Sequence, residues 1–145
     1  MPSFTGLHHV ALAVTDVERS VPWYERVLRF STVGRQEDGD SGMRKVFLRG
    51  PGVGLGLTLV QYPRIRRPEV DTRSAGLEHL SFSVPDEECL RRWTDRLTEY
   101  GVVFTSVEDS ARNGRVGSDR ISLHDPDGIQ LVILVEPGVK RPGGL

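Results

Sequence analysis

The chain contains a single cysteine, Cys89, so no disulfide can form within it, and this is typical of a reducing compartment. No apolar run comes close to the roughly 20 residues that a membrane-spanning helix needs, and no signal-peptide pattern opens the sequence. The formal net charge of -1 excludes the basic excess that marks a nucleic-acid-binding face. These absences predict a cytoplasmic protein that binds neither nucleic acid nor membrane.

The rest of the composition, with 37% hydrophobic and 27% charged residues, is typical of a folded globular protein. A length of 145 residues allows one compact domain or two small ones that share a core. The internal pattern of the sequence decides how the chain is divided.

One segment of the sequence occurs twice, seventy residues apart: Leu7 to Asp16 matches Leu77 to Asp86. The 24 pairs that start with Leu7 and end with Phe30 contain seven identities, more than unrelated segments would give. The identical pairs are Leu7 and Leu77, His9 and His79, Val14 and Val84, Asp16 and Asp86, Glu18 and Glu88, Trp23 and Trp93, and Arg26 and Arg96. The chain is therefore one structural unit written twice, with a histidine at the same place in each copy.

The first copy reads as a strand, a helix and three strands. Alternating apolar residues predict a strand over Leu7 to Val14, and helical spacing predicts a helix over Val17 to Leu28. Asp16 can cap that helix, although Pro22 is better tolerated if the first turn begins near Ser20. The three further strands are Phe30 to Gly34, Met43 to Leu48 and Leu55 to Tyr62.

The second copy repeats this order. Asp86 caps a helix that ends at Gly101, and Asp125 to Gly128 forms a tight turn before the last strand. The strands are Leu77 to Val84, Val102 to Val107, Asp119 to His124 and Ile129 to Val135. We expect units at 1–62 and 76–136, a linker at 63–75, a flexible tail at 137–145, and a polar loop over Glu108 to Ser118 that could close over a site.

Strand alternation places each histidine on a face of small residues. Because alternate residues share a face, His9 lies with Ala11 and Ala13, and His79 lies with Ser81 and Ser83. Small side chains fill a core poorly, so these faces are expected to line a cavity, with His8 and Glu78 pointing the other way. Two related copies packed together would bring His9 and His79 towards each other. Such a pair suggests a divalent metal site, and hydrogen-bonded structural histidines are the alternative.

This order of elements resembles the vicinal oxygen chelate superfamily, which includes glyoxalases, extradiol dioxygenases and bleomycin-type resistance proteins. The residues that carry the resemblance are His9 to Asp16 with Trp23, Tyr24 and Leu28, then His79 with its strand, then Asp125 to Leu131. The resemblance implies an α+β fold of two tandem βαβββ units that form a curved mixed sheet around a cleft. It also implies a small-molecule ligand and a homodimer.

In the metal-using members of this family, each unit offers ligands from its first and last strands. The resemblance therefore implies that His9 and His79 bind a divalent metal (Fe, Mn, Ni, Co or Zn), with no organic cofactor. The last-strand positions fall at Thr58 and Val132, where the family's carboxylate ligand is absent. Other conceivable donors are Glu136, His124, Asp119 and Thr58.

Two classes of function follow from the resemblance. The first is a metal-dependent lyase, isomerase or dioxygenase whose acid or base is Glu136 or His124. The alternative is a metal-free binding protein of the antibiotic-resistance type, which Val132 favours; a metal-free isomerase that uses His9 or His79 lies between them. The expected pocket residues are Ala11, Thr58, Val60, Tyr62, Ser81, Val132 and Leu134.

Overall fold

Each half of the chain folds as one strand, one helix and three further strands, as the repeat predicts. The computed structural model describes residues 1–52, 54–64, 75–107 and 120–136. Most of the predicted linker, the loop at 108–118, Asp119 and the predicted tail lie outside the described residues. The chain divides into two compact units, Met1–Asp71 and Thr72–Leu145.

The first unit contains a four-stranded mixed sheet with one helix. Its strands follow the order β1-β4-β3-β2; β1 runs parallel to β4, and the other neighbours are antiparallel. The elements are β1 (His9–Ala13), α1 (Val17–Leu28), β2 (Ser31–Glu37), β3 (Arg44–Arg49) and β4 (Gly56–Gln61). The parallel pairing follows from the order of the elements. Helix α1 carries the chain back so that β2 runs in the same direction as β1, and two antiparallel turns then leave β4 parallel to β1.

Helix α1 begins at Val17 because two side chains satisfy its first N–H groups. Asp16 accepts a hydrogen bond from the N–H of Glu18 at 2.9 Å, and Gln61 accepts one from the N–H of Val17 at 2.9 Å. The alternative start near Ser20 is wrong, since Ser20 lies within the helix and is fully buried. Pro22 is accommodated inside the helix at the cost of one main-chain hydrogen bond.

The second unit repeats the architecture with the strand order β5-β8-β7-β6. Its elements are β5 (Leu80–Val84), α2 (Glu87–Glu99), β6 (Phe104–Val107), β7 (Arg120–His124) and β8 (Gln130–Val135). Asp86 caps α2 by accepting a hydrogen bond from the N–H of Cys89 at 2.7 Å. The fold class is therefore α+β with two βαβββ units, as predicted.

The turn between β7 and β8 is built around Asp125, as its sequence predicts. The Asp125 carboxylate accepts hydrogen bonds from the N–H groups of Asp127 and Ile129, both at 2.9 Å, and its carbonyl accepts one from Gly128. Gly128 has a φ of 84°, a conformation that glycine adopts without strain. These bonds set the register of β7 against β8.

The core of each unit lies between its helix and one face of its sheet. In the first unit, α1 packs on β2, β3 and β4, and buries Leu12, Val14 and Tyr24. In the second, α2 packs on β5 and β8 over Leu131 and Ile133. Among the described residues, no helix has the length and apolar character to cross a membrane.

Candidate functional site

The face of each sheet opposite its helix carries the two histidines that the repeat singles out. His9, Ala11 and Ala13 are exposed, whereas Leu12 and Val14 on the same stretch are buried under α1. His79, Ser81 and Ser83 are likewise exposed in the second unit. The predicted division of faces is thus present in both units. The pairing of His9 with His79 stays a prediction, since they belong to different units.

The residue before each histidine contacts that histidine's ring, which differs from the expectation that it points away. The Nδ1 atoms of His8 and His9 lie 2.8 Å apart, and Nδ1 of His79 contacts Oε2 of Glu78. Strand alternation fails here because β1 begins only at His9 and β5 only at Leu80. All four side chains are exposed. Each histidine therefore presents Nε2 for a further contact.

Strand register places Thr58 and Val132 at equivalent positions of the two sheets. Thr58 pairs with Ala11 on β1, and Val132 pairs with Ser81 on β5. Each of the two side chains is only 6% exposed. Neither residue is a carboxylate, and the part of the chain that the structure describes contains no group of three or more histidine, cysteine, aspartate or glutamate side chains placed to hold a metal ion. Within each unit, the described residues therefore do not form a three-ligand metal site.

A cavity of about 490 Å³ lies within the first unit, next to His9. It lies where the segment before β1 passes the ends of β3 and β4. The residues that line it are Thr5, Gly6, Leu7, His8, His9, Val33, Phe47, Leu48, Arg49, Gly54, Gly56, Leu57 and Thr58. Its size lies within the range of about 300–1,000 Å³ that is typical of small-molecule sites.

One row of the sheet sets the chemistry of this cavity. Gly56 on β4 pairs with His9 on one side and with Arg49 on the other. Because strands lie roughly 4.8 Å apart, the Cα atoms of His9 and Arg49 are about 10 Å apart, with no side chain between them. In the next row, Thr58 pairs with Phe47. An imidazole, a hydroxyl, a guanidinium and an aromatic ring therefore belong to one concave surface.

The predicted pocket residues are distributed over both units. His9 and Thr58 line the cavity. Ala11 and Val60 lie farther along β1 and β4 on the same face, and Tyr62 follows β4 with its side chain half exposed. Ser81, Val132 and Leu134 belong to the second sheet. The candidate acid or base residues also lie in the second unit, His124 at the end of β7 and Glu136 just after β8, both exposed.

Three residues of the cavity, Phe47, Arg49 and Val33, are not among the pocket residues predicted from the sequence. The alternation in β3 could have predicted Phe47 and Arg49. Val46 and Leu48 are apolar and face the core, so Phe47 and Arg49 must face the opposite side of the sheet. The pairing of Arg49 with Gly56 depends on the strand register, which one sequence does not display. Val33 lies at a β-bulge between Thr32 and Gly34, and this irregularity places it at the cavity.

The match to a family model agrees with this fold and these motifs. Residues 6–133 match the Glyoxalase/Bleomycin resistance protein/Dioxygenase superfamily, and the chain belongs to that superfamily. It is similar to the crystal structure of a glyoxylase/bleomycin resistance protein/dioxygenase domain from Frankia sp. EAN1pec. That likeness has a TM-score of 0.77 at 29% identity and covers 92% of this chain and 98% of the other.

The chain is also similar to two curated relatives. The chain is 26% identical over 141 residues to a putative ring-cleaving dioxygenase, MhqA, of Bacillus subtilis (strain 168), covering 95% of this chain and 42% of that one. It is 28% identical over 120 residues to a trivalent organoarsenical cleaving enzyme of Bacillus sp. (strain MD1), covering 83% of this chain and 66% of that one. The chain thus spans less than half the length of the dioxygenase relative.

Proposed function

We propose that this protein binds a small organic molecule in the cavity of its first unit, without a metal ion held by three of its own side chains. The observation that carries the proposal is the position of the cavity beside His9 and Thr58, in a sheet whose last strand offers a hydroxyl where a metal ligand is expected. Val132 occupies the equivalent position of the second sheet and offers no donor at all.

The lining of the cavity supports recognition of an organic molecule. Phe47 and Val33 offer apolar surface, while Thr58, His9 and Arg49 offer hydrogen-bonding groups. Small-molecule sites combine these two kinds of surface, since apolar area supplies affinity and a few polar groups fix orientation. Gly54 and Gly56 add no side chains, so space remains between the polar groups.

A pair of tryptophan substitutions tests the proposal. Val33 is 59% exposed and lines the cavity, so Val33→Trp is expected to fill it without disturbing the core. Val103 is 87% exposed in the second unit, so Val103→Trp is the matched control. A screen of small aromatic compounds by backbone amide NMR is expected to find shifts at Phe47, Gly56 and Thr58 that Val33→Trp abolishes and Val103→Trp keeps. The proposal fails if no compound shifts these amides, or if Val33→Trp binds as the wild type does.

A metal-dependent enzyme is the second candidate, and the contact between Glu78 and His79 favours it. Histidines that bind metals commonly donate their other ring N–H to a carboxylate, which fixes the tautomer and leaves Nε2 for the metal. The similarity of the chain to a putative ring-cleaving dioxygenase and to an organoarsenical cleaving enzyme also supports this candidate. It requires a third donor from His124, Glu136 or the substrate itself.

Metal content separates the two candidates. The purified protein is offered Fe, Mn, Ni, Co and Zn in turn, and bound metal is measured together with His9→Ala, His79→Ala and His124→Ala variants. Stoichiometric metal that is lost in His9→Ala and His79→Ala supports the enzyme, and its loss in His124→Ala as well identifies the third donor. Wild-type protein that retains none of the five metals supports the metal-free binder.

A further inference from the structure

We propose that the ligand of the first-unit cavity is an organic anion, a carboxylate or phosphonate on an apolar body, and that Arg49 binds its charged group. This inference rests on the proposed function, because it names the class of molecule that the cavity accepts. In this proposal, the guanidinium of Arg49 makes the cavity bind anionic ligands more tightly than neutral ones.

The wall of the cavity carries a positive charge and no carboxylate among its described residues. Arg49 contributes a permanent positive charge, and His8 and His9 contribute two imidazole rings. None of the described residues that line the cavity is an aspartate or a glutamate. An anion entering this cavity is attracted by the charge of Arg49 and meets no repulsive carboxylate. A cation is repelled by Arg49 and finds no carboxylate to bind.

The basic residues on the two faces of the first sheet differ in their side-chain partners. On the face that packs under α1, Arg44 forms ion pairs with Glu18 at 2.7 Å and with Glu37 at 2.9 Å, and Arg35 pairs with Glu18 at 3.2 Å. On the opposite face, the side chains of Arg49 and Lys45 have no ion-pair or hydrogen-bond partner among the described residues. The charge of Arg49 is therefore free to bind an anionic group from outside the chain.

Space for a ligand lies beside Arg49. Gly56 lies between Arg49 and His9 in one row of the sheet, and a Cβ at Gly56 would lie 3.3 Å from the Cβ of His9. The glycine thus leaves a gap in the row, one residue wide, with Arg49 at one side and the imidazole at the other. A guanidinium matches a carboxylate or phosphonate through two parallel N–H donors, and such charge-assisted bonds are stronger than neutral ones.

The apolar body of the ligand has a partner in the next row. Phe47 precedes Arg49 by two residues on β3 and so lies on the same face, opposite Thr58. An aromatic ring attached to the anionic group can lie against Phe47 while its charged end reaches Arg49, because residues two apart on a strand are separated by about 7 Å. This spacing matches a benzene ring that bears one acidic group.

The test uses three probes of similar shape, benzoate, phenylphosphonate and benzamide, titrated into the protein and followed by the amide shifts of Phe47, Gly56 and Thr58. Both anions are expected to bind about tenfold more tightly than benzamide, because a charge-assisted bond exceeds a neutral one by that order. Arg49→Met is expected to remove this difference. The matched control is Arg92→Met, since Arg92 is exposed on α2 and has no ion-pair partner among the described residues.

The outcomes distinguish this inference from the proposed function. If benzamide binds as tightly as the two anions, or if Arg49→Met keeps the preference, the cavity binds small molecules but Arg49 does not select anions, and the inference is overturned alone. If none of the three probes shifts the cavity amides while other compounds of the aromatic screen do, the inference is overturned alone; if the whole screen is silent as well, both proposals are overturned. A preference for phenylphosphonate over benzoate, lost in Arg49→Met, supports the inference and identifies the phosphonate as the better-matched acid.

Discussion

Oε2 of Glu78 contacts Nδ1 of His79, the ring of the very next residue, and both side chains are exposed on the segment that leads into β5. In the first unit, His8 occupies the position of Glu78 and contacts Nδ1 of His9 at 2.8 Å. The repeat thus preserves a contact while changing its chemistry from carboxylate to imidazole. His9 and His79 occupy the same position in the repeat, but an imidazole contacts the first and a carboxylate contacts the second.

This contact predicts the tautomer of neutral His79. An ionised carboxylate only accepts hydrogen bonds, so Nδ1 of His79 must carry the proton and Nε2 must carry the lone pair. Ring nitrogen shifts measured by NMR on the neutral ring are expected to identify the Nδ1–H form. Glu78→Gln is expected to raise the fraction of the Nε2–H form, because a neutral amide oxygen accepts more weakly. A dominant Nε2–H form in the wild type would contradict the contact.

Val132→Glu tests whether the second sheet can regain a metal ligand. The new carboxylate would lie in register with Ser81, two residues beyond His79, at a position that is 6% exposed. Without metal, we expect the variant to lose about 1–3 kcal/mol of unfolding free energy, since a buried polar group is left without a partner. Divalent metal is expected to bind more tightly than in the wild type and to restore part of the lost stability.

Val132→Gln is the control for this variant, because it has nearly the same shape and no charge. Thermal unfolding with and without each of Fe, Mn, Ni, Co and Zn gives the comparison. Equal metal affinity in the glutamate and glutamine variants would show that a carboxylate at position 132 does not act as a metal ligand.

The repeat of β1 and α1 in β5 and α2 made most of the fold predictable. Helix α1 has the predicted bounds because Asp16 supplies a cap and the apolar spacing is strong. Strand ends were less accurate: β1 and β5 begin at His9 and Leu80, later than the alternation of apolar residues indicates. The alternation of apolar and polar residues continues beyond a strand whenever the flanking residues happen to fit it. The strand itself ends where its hydrogen bonds to β4 or β8 end.

The cavity was only partly predictable, for a physical reason. His9 and Thr58 follow from the repeat and from the family pattern, but Arg49 enters the cavity through its register with Gly56, and register depends on a bulge at Val33 and on the turns that join the strands. A contact such as the one between Glu78 and His79 depends on side-chain rotation in a segment without regular structure. Neither the strand register nor this side-chain rotation can be predicted from the periodicity of one sequence.

Gly56→Ala tests the importance of the gap between His9 and Arg49. The added methyl group would lie 3.3 Å from the Cβ of His9 and 3.5 Å from the carbonyl oxygen of His8, so His9 must move by a few tenths of an ångström. We expect unfolding free energy to change by less than about 1 kcal/mol, since His9 is exposed and can move, while benzoate binding weakens several-fold. Gly54→Ala is the control, because Gly54 lines the same cavity and an added Cβ there meets no atom within 4 Å. Equal losses in both variants would contradict a special role for this row.

Ser20→Ala is expected to stabilise the first unit. Ser20 is fully buried in α1, and its hydroxyl has no hydrogen-bond partner in the described part of the chain. Removing an unsatisfied hydroxyl and introducing a better helix former should raise the unfolding free energy by about 1 kcal/mol. Chemical denaturation measures the change. Ser83→Ala, on an exposed strand position, serves as the control and is expected to change stability by less than about 0.5 kcal/mol.

The hairpin between β2 and β3 is expected to weaken in acid because of Asp38. The hydroxyl of Ser41 donates a hydrogen bond to the Asp38 carboxylate at 2.6 Å, and the N–H of Asp40 donates another at 3.1 Å, and these bonds lower the pKa of Asp38 from its ordinary value. Because the folded pKa lies below the unfolded one, this contribution to stability is complete above the unfolded pKa and is lost as pH falls through the folded pKa.

Ser41→Ala removes the larger cause of this shift, so the pKa of Asp38 should move back towards its ordinary value, and amide protection in the hairpin should begin to fall at a higher pH. The carboxyl carbon shift of Asp38 and the exchange rates of the Asp38 and Gly42 amides, whose hydrogen bonds do not use the Ser41 side chain, measure both effects when followed against pH. Ser31→Ala, an exposed serine at the start of β2, controls for the loss of a hydroxyl elsewhere on this hairpin and should leave the titration of Asp38 unchanged. An Asp38 titration that is the same in wild type and Ser41→Ala would mean that the serine hydroxyl does not stabilise the carboxylate in solution.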